Sequence, residues 1–355
     1  VKDGKLLIEI YAENVPAKGS PARFLPVTAL GEGSYCVDDI ARTTVALLQE
    51  HGRRPRPKLL TRARAGLAFV RMMQAPDGEF YNFASLKRGK LRVNKTGATS
   101  KKGIDFWAGR ALWAMGEGFT ALKEADPKGA RTLARAFERS LPHLESPLAA
   151  YGRFRVVGGK KLPAWLLNDA ADQTAVVLKG LLAFHRGLPA GALRRRVAGI
   201  IARYADGLAA AQVTDRKAKD YGRFIHSIST PDSAHLWGSR QVEVLAEAAK
   251  ALGGERGRLW TRAARRCADR YWGRSTPAKI TGTGEEQIAY GVETVVSGYA
   301  RLYEATKDRR YLDQTYRWAS WLFGNNKARA VVYDPISGRG YDGIRPIADG
   351  KRVRY

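Results

Sequence analysis

Acidic residues recur along this 355-residue chain at intervals of about 55–65 positions, each at the head of an apolar helical pattern. Asp38-Asp39 open SYCVDDIARTTVALL, Asp105 opens GIDFWAGRALWAMGEGF, and Asp169 opens LNDAADQTAVVLKGLLAF. Asp232 opens TPDSAHLWGSRQVEVLAEA, Glu285-Glu286 open GTGEEQIAYGVETVVSGYARL, and a further interval reaches Asp342 in GYDGI. Carboxyl groups brought together in pairs do general acid–base work, one delivering a proton while the other accepts one. The period supplies a means of assembly: if alternate helices form an inner ring, their first turns converge on one face. Asp38, Asp39, Asp105, Asp232 and Glu286 form the candidate catalytic pool.

Other side chains qualify as their partners. Arg42 follows Asp38 by one helical turn and could hold a carboxylate ionised. Phe106, Trp107 and Trp113 flank Asp105. Trp113 has core spacing, whereas Trp107 is placed to line a cleft. Arg110 either orients Asp105 or meets an acidic substrate. Asp232 and His235 lie about one turn apart, with Tyr221, Arg223 and His226 on the loop before them. Glu286, Tyr290 and Glu293 share a helical face, with Glu293 expected as a buried polar contact. Asp342 reads as a loop acid at the rim. Every helix-heading acid also has a plainer reading, as an N-cap or a first-turn partner of the helix dipole. Asp77 in PDGEF and Asp334 in YDPISG have the composition of turns.

The elements that must position these groups are helical. Residues 1–30 carry a strand-like run, Leu6 to Tyr11, then a Gly/Pro-rich loop, and form an N-terminal extended segment. From residue 31 to 355 a second helix with basic decoration follows each acid-headed one. Their apolar stripes are Leu59, Leu60, Ala63, Leu67 and Val70; Leu133, Ala136 and Phe137; Leu193, Val197, Ile200, Ile201 and Tyr204; Leu259, Trp260, Ala263 and Ala264; and Tyr311, Leu312, Thr315, Ala319 and Leu322. Pro127 and Pro189 stand near helix starts, where proline is tolerated. The unit is a helical hairpin of about 60 residues, too long for repeats of about 33–34. No linker composition divides the chain, so residues 31–355 read as one domain. Lys87–Lys102 and Thr214–Thr230 are long polar stretches of the kind that form binding loops.

Five to six hairpins of this length resemble the (α/α)6 toroid of six-hairpin glycosidase-like, carbohydrate-active proteins, in particular bacterial members. The resembling segments are VDDIART, MMQAPDGEFYNF, FWAGRALWAMGEG, QIAYGVETVVSGYARLYEATKDRRYLDQTYRWASWLFGNN and VVYDPISGRGYDGI, spread over the whole length. The resemblance implies an all-α toroid with a short N-terminal extended segment and a cleft lined by the inner-helix starts. It also implies glycoside hydrolysis by two carboxyls flanking the scissile bond. An indole at Trp107 would then offer a sugar platform. The runner-up is a lyase on uronate polymers, with Tyr221 and His226 for proton abstraction and Arg223 for the developing enolate. A toroid that binds polysaccharide or a cell-surface polyanion without turnover is the third reading. A complete toroid needs a twelfth helix after Asp342: either N-terminal residues close the ring, or that helix is absent from this sequence.

Charge bears on partners. The chain has 61 Lys+Arg against 34 Asp+Glu, a net charge of +27, which attracts polyanions and says little about fold. The basic runs (Arg53-Arg54 to Arg64, Lys87 to Lys102, Arg194–Arg196, Arg262 to Arg266, Lys307 to Arg310) map to the second helices and neighbouring loops. A solvated shell of this kind fits electrostatic association with an anionic envelope and an anionic carbohydrate substrate. No signature of specific nucleic-acid binding accompanies it. No run of about 18 apolar residues predicts a transmembrane span. The chain opens on Val1, compatible with removal of an export signal, and the positive charge leans the expected location toward the cell envelope or exterior. His, Cys and carboxylate spacings match no metal motif, no dinucleotide or phosphate loop is present, and no cofactor is expected. Cys36 and Cys267, the two cysteines, leave pairing open.

Overall fold

The computed structural model describes residues 1–15, 23–28, 31–233, 236, 239–277, 287–346 and 352–354. In chain order the elements are β1 (Tyr11–Val15), β2 (Arg23–Val27), β3 (Tyr35–Cys36), α1 (Val37–Arg53), α2 (Pro57–Met72), β4 (Phe83–Lys87), β5 (Lys90–Val93), α3 (Phe106–Leu122), α4 (Pro127–Glu145), β6 (Phe154–Val157) and β7 (Lys160–Pro163). There follow α5 (Ala171–Gly187), α6 (Ala192–Ala210), α7 (Gln241–Leu252), α8 (Gly254–Arg266), β8 (Gln287–Ile288), α9 (Ala289–Thr306), α10 (Arg309–Ala319), β9 (Gly343–Pro346) and β10 (Arg352–Arg354). The helices α1/α2, α3/α4, α7/α8 and α9/α10 pair as consecutive hairpins. The fold is the all-α, hairpin-built class, with small antiparallel sheets between hairpins.

Two compact units divide these elements. The first comprises residues 1–146 and 179–197, the second 147–178 and 198–355. Within the first, α1 packs on both α2 and α3. The two helices of a hairpin differ in burial for a reason visible in composition. α3 is apolar and small around most of its circumference, and Ala108, Gly109, Ala111, Leu112, Ala114 and Met115 are all buried in succession. α4 buries a single stripe, Leu133, Ala136, Phe137, Leu141 and Leu144, and turns charged residues to water. α3 also meets α5 closely. A Cβ on Gly116 would stand 2.6 Å from the Gly180 carbonyl oxygen, and one on Gly180 would stand 2.8 Å from the Leu112 carbonyl carbon. Only glycine permits that approach. Phe184 fills the space beyond, stacked on Phe137 at 4.2 Å.

In the second unit α7 packs against α8 and α9, and α9 against α10. Trp260, Trp318, Trp321, Tyr204, Tyr299 and Tyr311 are its largest fully buried side chains. Leu259, expected in the α8 stripe, is 47% exposed; Trp260 beside it takes the buried position.

Several expectations need correction. The N-terminal strand is Tyr11–Val15 rather than Leu6–Tyr11, and it pairs with Arg23–Val27 inside what read as loop. Part of the Lys87–Lys102 stretch is ordered as the β4/β5 hairpin and carries on the sheet begun by β3. Asp232 does not head a helix. Pro231 and the hydroxyl-rich run before it favour turns, Ser227 Oγ accepts from the Thr230 amide, and α7 begins only at Gln241.

Candidate functional site

The starts of α1 and α3 are drawn to one short segment, Phe80–Phe83. The Val37 amide donates to the Asn82 carbonyl at 2.9 Å, and Cys36 pairs with Phe83 in the sheet. Phe80 and Gly103 exchange two backbone hydrogen bonds of 3.1 Å, and Trp107 Nε1 donates to the Phe80 carbonyl at 2.9 Å. One strip of backbone thus holds Asp38, Asp39 and Asp105 at helix starts in the same unit.

These acids are not spent as caps. The N-cap of α1 is Cys36, whose Sγ accepts from the Asp39 amide at 3.3 Å. Asp105 occupies the N-cap position of α3 without a side-chain capping bond. Asp126 and Asp308, by contrast, are true caps of α4 and α10.

The carboxyls on α1 are held by guanidinium groups. Arg42 Nε lies 2.9 Å from Asp38 Oδ1, and the same side chain is ion-paired with Asp39. Arg110 is ion-paired with Asp38, and both side chains are largely buried. The orienting role expected of Arg110 is therefore exercised on Asp38. Burial pushes the Cys36 thiol up, and Asp39 adds to the shift, so the thiol stays protonated and donates to Asp39 Oδ2 at 3.1 Å.

Asp105 has a different environment. Burial raises its pKa, the charge of Glu79 raises it further, and Lys101 opposes them. Gly103 leaves room for it, since a Cβ there would stand 2.9 Å from Asp105 Oδ2 and displace the carboxyl. Glu79 is tied to Lys102 at 3.0 Å, and Lys102 also pairs with Asp77. A carboxyl whose burial favours the protonated form is the kind that serves as a general acid. Trp107 is partly buried near Asp105 with its N–H anchored, while Trp113, 9% exposed, is core as expected.

The second unit holds another constellation. His226 Nδ1 faces Asp172 Oδ2 in an ion-pair contact, Asp172 being fully buried in the first turn of α5. The backbone fixes the pair: the Ala171 amide donates to the His226 carbonyl at 2.9 Å, and Ala170 bridges Ser227. A carboxylate on Nδ1 sets the tautomer that leaves Nε2 as the basic nitrogen. Asp172 was missed because the repeat lands three residues earlier. Asp169 itself takes a left-handed turn (φ 56°) and pairs with Arg155.

Arg223 does not reach toward a substrate. It is 4% exposed and donates to Asp220 and to the carbonyls of Ser233 and Pro231, clamping its own loop. Tyr221 is half-buried on that loop. Asp232 is exposed and paired with Lys160, which holds its carboxyl below the usual range and so keeps it ionised, without a proton to donate. Tyr290 lies under Arg240, whose guanidinium pairs with Glu243 and Glu293. Glu293 makes the expected polar contact from an exposed position, not a buried one. Asp342 is an exposed loop residue whose carbonyl accepts from Ala289. His235, Glu285 and Glu286 lie outside the described residues.

Among the described residues no group of three or more His, Cys, Asp and Glu is arranged to hold a metal, and no helix is long and apolar enough to cross a membrane. Both cysteines are free and buried.

No protein-family description matches the sequence, and comparison with curated proteins gives no match. Solved structures do resemble it. A cellobiose 2-epimerase from Bacillus thermoamylovorans B4167 matches with a TM-score of 0.60 at 13% identity, over 92% of this chain and 88% of that one. A D-mannose isomerase matches with a TM-score of 0.59 at 10% identity, over 87% and 79%. The GH family 9 endoglucanase J30 matches with a TM-score of 0.52 at 16% identity, over 84% of this chain and 56% of that one.

Proposed function

We propose that the chain, whose fold is the (α/α)6, six-hairpin glycosidase-like one shared with these structures, is a carbohydrate-active enzyme, and specifically a glycoside hydrolase working through Asp105 and the Arg-held pair Asp38-Asp39. The observation that carries this reading is the contrast between the carboxyls. Asp105 is raised by burial and by Glu79, so it keeps a proton to higher pH. Asp38 and Asp39 face Arg42 and Arg110. In the reaction Asp105 protonates the departing glycosidic oxygen as the anomeric C–O bond breaks. Asp39, the more exposed of the α1 pair, removes a proton from the water that attacks the anomeric carbon. Asp38 and Arg110 position Arg42 and Asp39 from beneath. Trp107 supplies an apolar wall beside the acid.

A second reading rests on a separate observation, the His226–Asp172 pair. An imidazole oriented by a buried carboxylate suits removal of a carbon-bound proton next to a sugar carbonyl or carboxylate. Lyase action on a uronate polymer, or epimerisation of the kind named for one of the matched structures, would both use it. The uronate lyase would expel the glycosidic oxygen and leave a carbon–carbon double bond.

Incubation with neutral and uronic-acid polysaccharides separates the readings. New reducing ends without unsaturation, lost in Asp105→Asn, support the hydrolase. Unsaturated ends, or an epimerised sugar without chain cleavage, lost in His226→Ala, overturn it in favour of the second reading. Saturable binding with no product in either assay overturns both and leaves a binding toroid.

A further inference from the structure

The second unit carries a cleft of about 500 Å³ that no step of the proposed reaction uses. Its floor is aromatic and rigid. Trp165 is 3% exposed and locked by its Nε1, which donates to the Arg203 carbonyl at 2.9 Å. Tyr151 and Phe154 stand edge-on against it, with ring centroids 5.3 and 5.2 Å away. They remain 40% and 42% exposed, so each offers an apolar ring surface already fixed in place. Lys161 Nζ lies 4.9 Å from the Phe154 ring and adds positive charge to that side.

A polar network crosses the same cleft. Asp206 accepts from the Tyr151 hydroxyl at 2.6 Å, from Trp260 Nε1 at 2.8 Å and from Arg256 Nη2. Its charge is thereby answered within the protein. Arg256 uses Nη2 alone for its bonds to Asp206 and Tyr151; among the described residues Nε and Nη1 have no partner, and the side chain is 47% exposed. A guanidinium held at one nitrogen with two other donor positions open is pre-organised for a carboxylate. Arg262, exposed, and Arg266, bonded to Gln212, also line the cleft. Three guanidinium groups therefore line a cleft whose one carboxylate is already bonded to Arg256, Tyr151 and Trp260.

We infer that this cleft is a second carbohydrate-binding site, selective for uronate units of an acidic oligosaccharide. The apolar face of a pyranose lies on Tyr151 or Phe154, its hydroxyls reach the Asp206–Tyr151 network, and its carboxylate meets Arg256. Nucleic acid fits less well, because stacking of successive bases needs a run of open aromatic faces along a basic groove. Here the floor ring, Trp165, is buried and a carboxylate stands in the cleft.

Calorimetric titration of the full chain tests this inference with trigalacturonate, cellotriose and a short oligodeoxythymidylate as probes. Trigalacturonate binds saturably, cellotriose at least about tenfold more weakly, since a charge-assisted pair is lost. Phe154→Ala weakens trigalacturonate about three- to tenfold by removing one aromatic platform, and Arg256→Gln weakens it more than it weakens cellotriose. Phe154 is exposed, so that variant keeps its fold, and its activity on polysaccharide is unchanged. The inference is overturned by equal affinity for cellotriose, by tighter binding of the oligodeoxythymidylate, by indifference to both substitutions, or by no binding. Binding that disappears in Asp105→Asn would place the ligand at the candidate active site and also overturn it. Loss of turnover in Asp105→Asn with trigalacturonate binding intact keeps the two sites separate, so neither result stands in for the other.

Discussion

Arg110 on α3 is ion-paired with Asp38 on α1, and this contact links the two helix starts that carry the candidate carboxyls. Removing one partner of a largely buried pair leaves the other poorly compensated. Arg110→Met is expected to cost about 2 kcal/mol in urea denaturation, with Arg42 limiting the loss. Asp38→Asn combined with Arg110→Met should recover part of it. Strict additivity of the two changes would mean that the pair does not couple the helices.

Asp105→Asn removes the proposed acid and retains the shape. The expected result is a fall in kcat of about 10²–10⁴-fold, the contribution of a positioned acid or base, with an unchanged circular dichroism spectrum. Activity within twofold of the parent would discard Asp105 as the acid.

The same substitution has a signed effect on stability. At neutral pH the folded state bears the cost of an ionised, half-buried Asp105, because its folded pKa lies above the unfolded one. Asp105→Asn should therefore be more stable than the parent at pH 7. The advantage should vanish as pH falls below the ordinary carboxylate range, where the proton is bound in both states. Thermal melts at pH 7 and pH 3 measure the difference, and an advantage that grows toward acid would contradict the assignment.

With Asp105 as the proposed acid, Glu79 and Lys101 are expected to set the alkaline limb of activity. Glu79 raises the Asp105 pKa and Lys101 lowers it. In Glu79→Gln the limb should move to lower pH, and in Lys101→Met to higher pH. A pH–rate profile of kcat/KM that moves the other way would show that a different group titrates.

Helix packing yields a prediction independent of chemistry. Gly180→Ala places a methyl group against the backbone of α3, which lacks the freedom of a side-chain tip. A loss of about 1–3 kcal/mol is expected from overpacking, and denaturant midpoints compared with Gly199→Ala, which has open space at its Cβ, provide the control.

The hairpin repeat, the helical class and the placement of Asp38, Asp39 and Asp105 at helix starts were determined by the sequence itself. Local periodicity and small residues in series specify a helix buried on most sides, and they act over one or two turns. Proline at 127 and the apolar stripes of the second helices were legible for the same reason. The pairing of charges was not. Arg110 could serve Asp105 five residues earlier or Asp38 seventy-two residues earlier, and only the approach of α1 to α3 over Phe80–Phe83 brought it to Asp38. The Asp172–His226 pair and the inward clamp of Arg223 likewise arise from chain segments that meet only after folding. Asp232 misled because its apolar surroundings resemble a helix start, while Pro231 and hydroxyl-to-backbone bonding draw the segment into turns until Gln241. A side chain's residue type states what it can donate or accept. Which neighbour receives it, and how much water is left between them, is decided by tertiary packing, and with it the raised pKa of Asp105 on which the proposed chemistry depends.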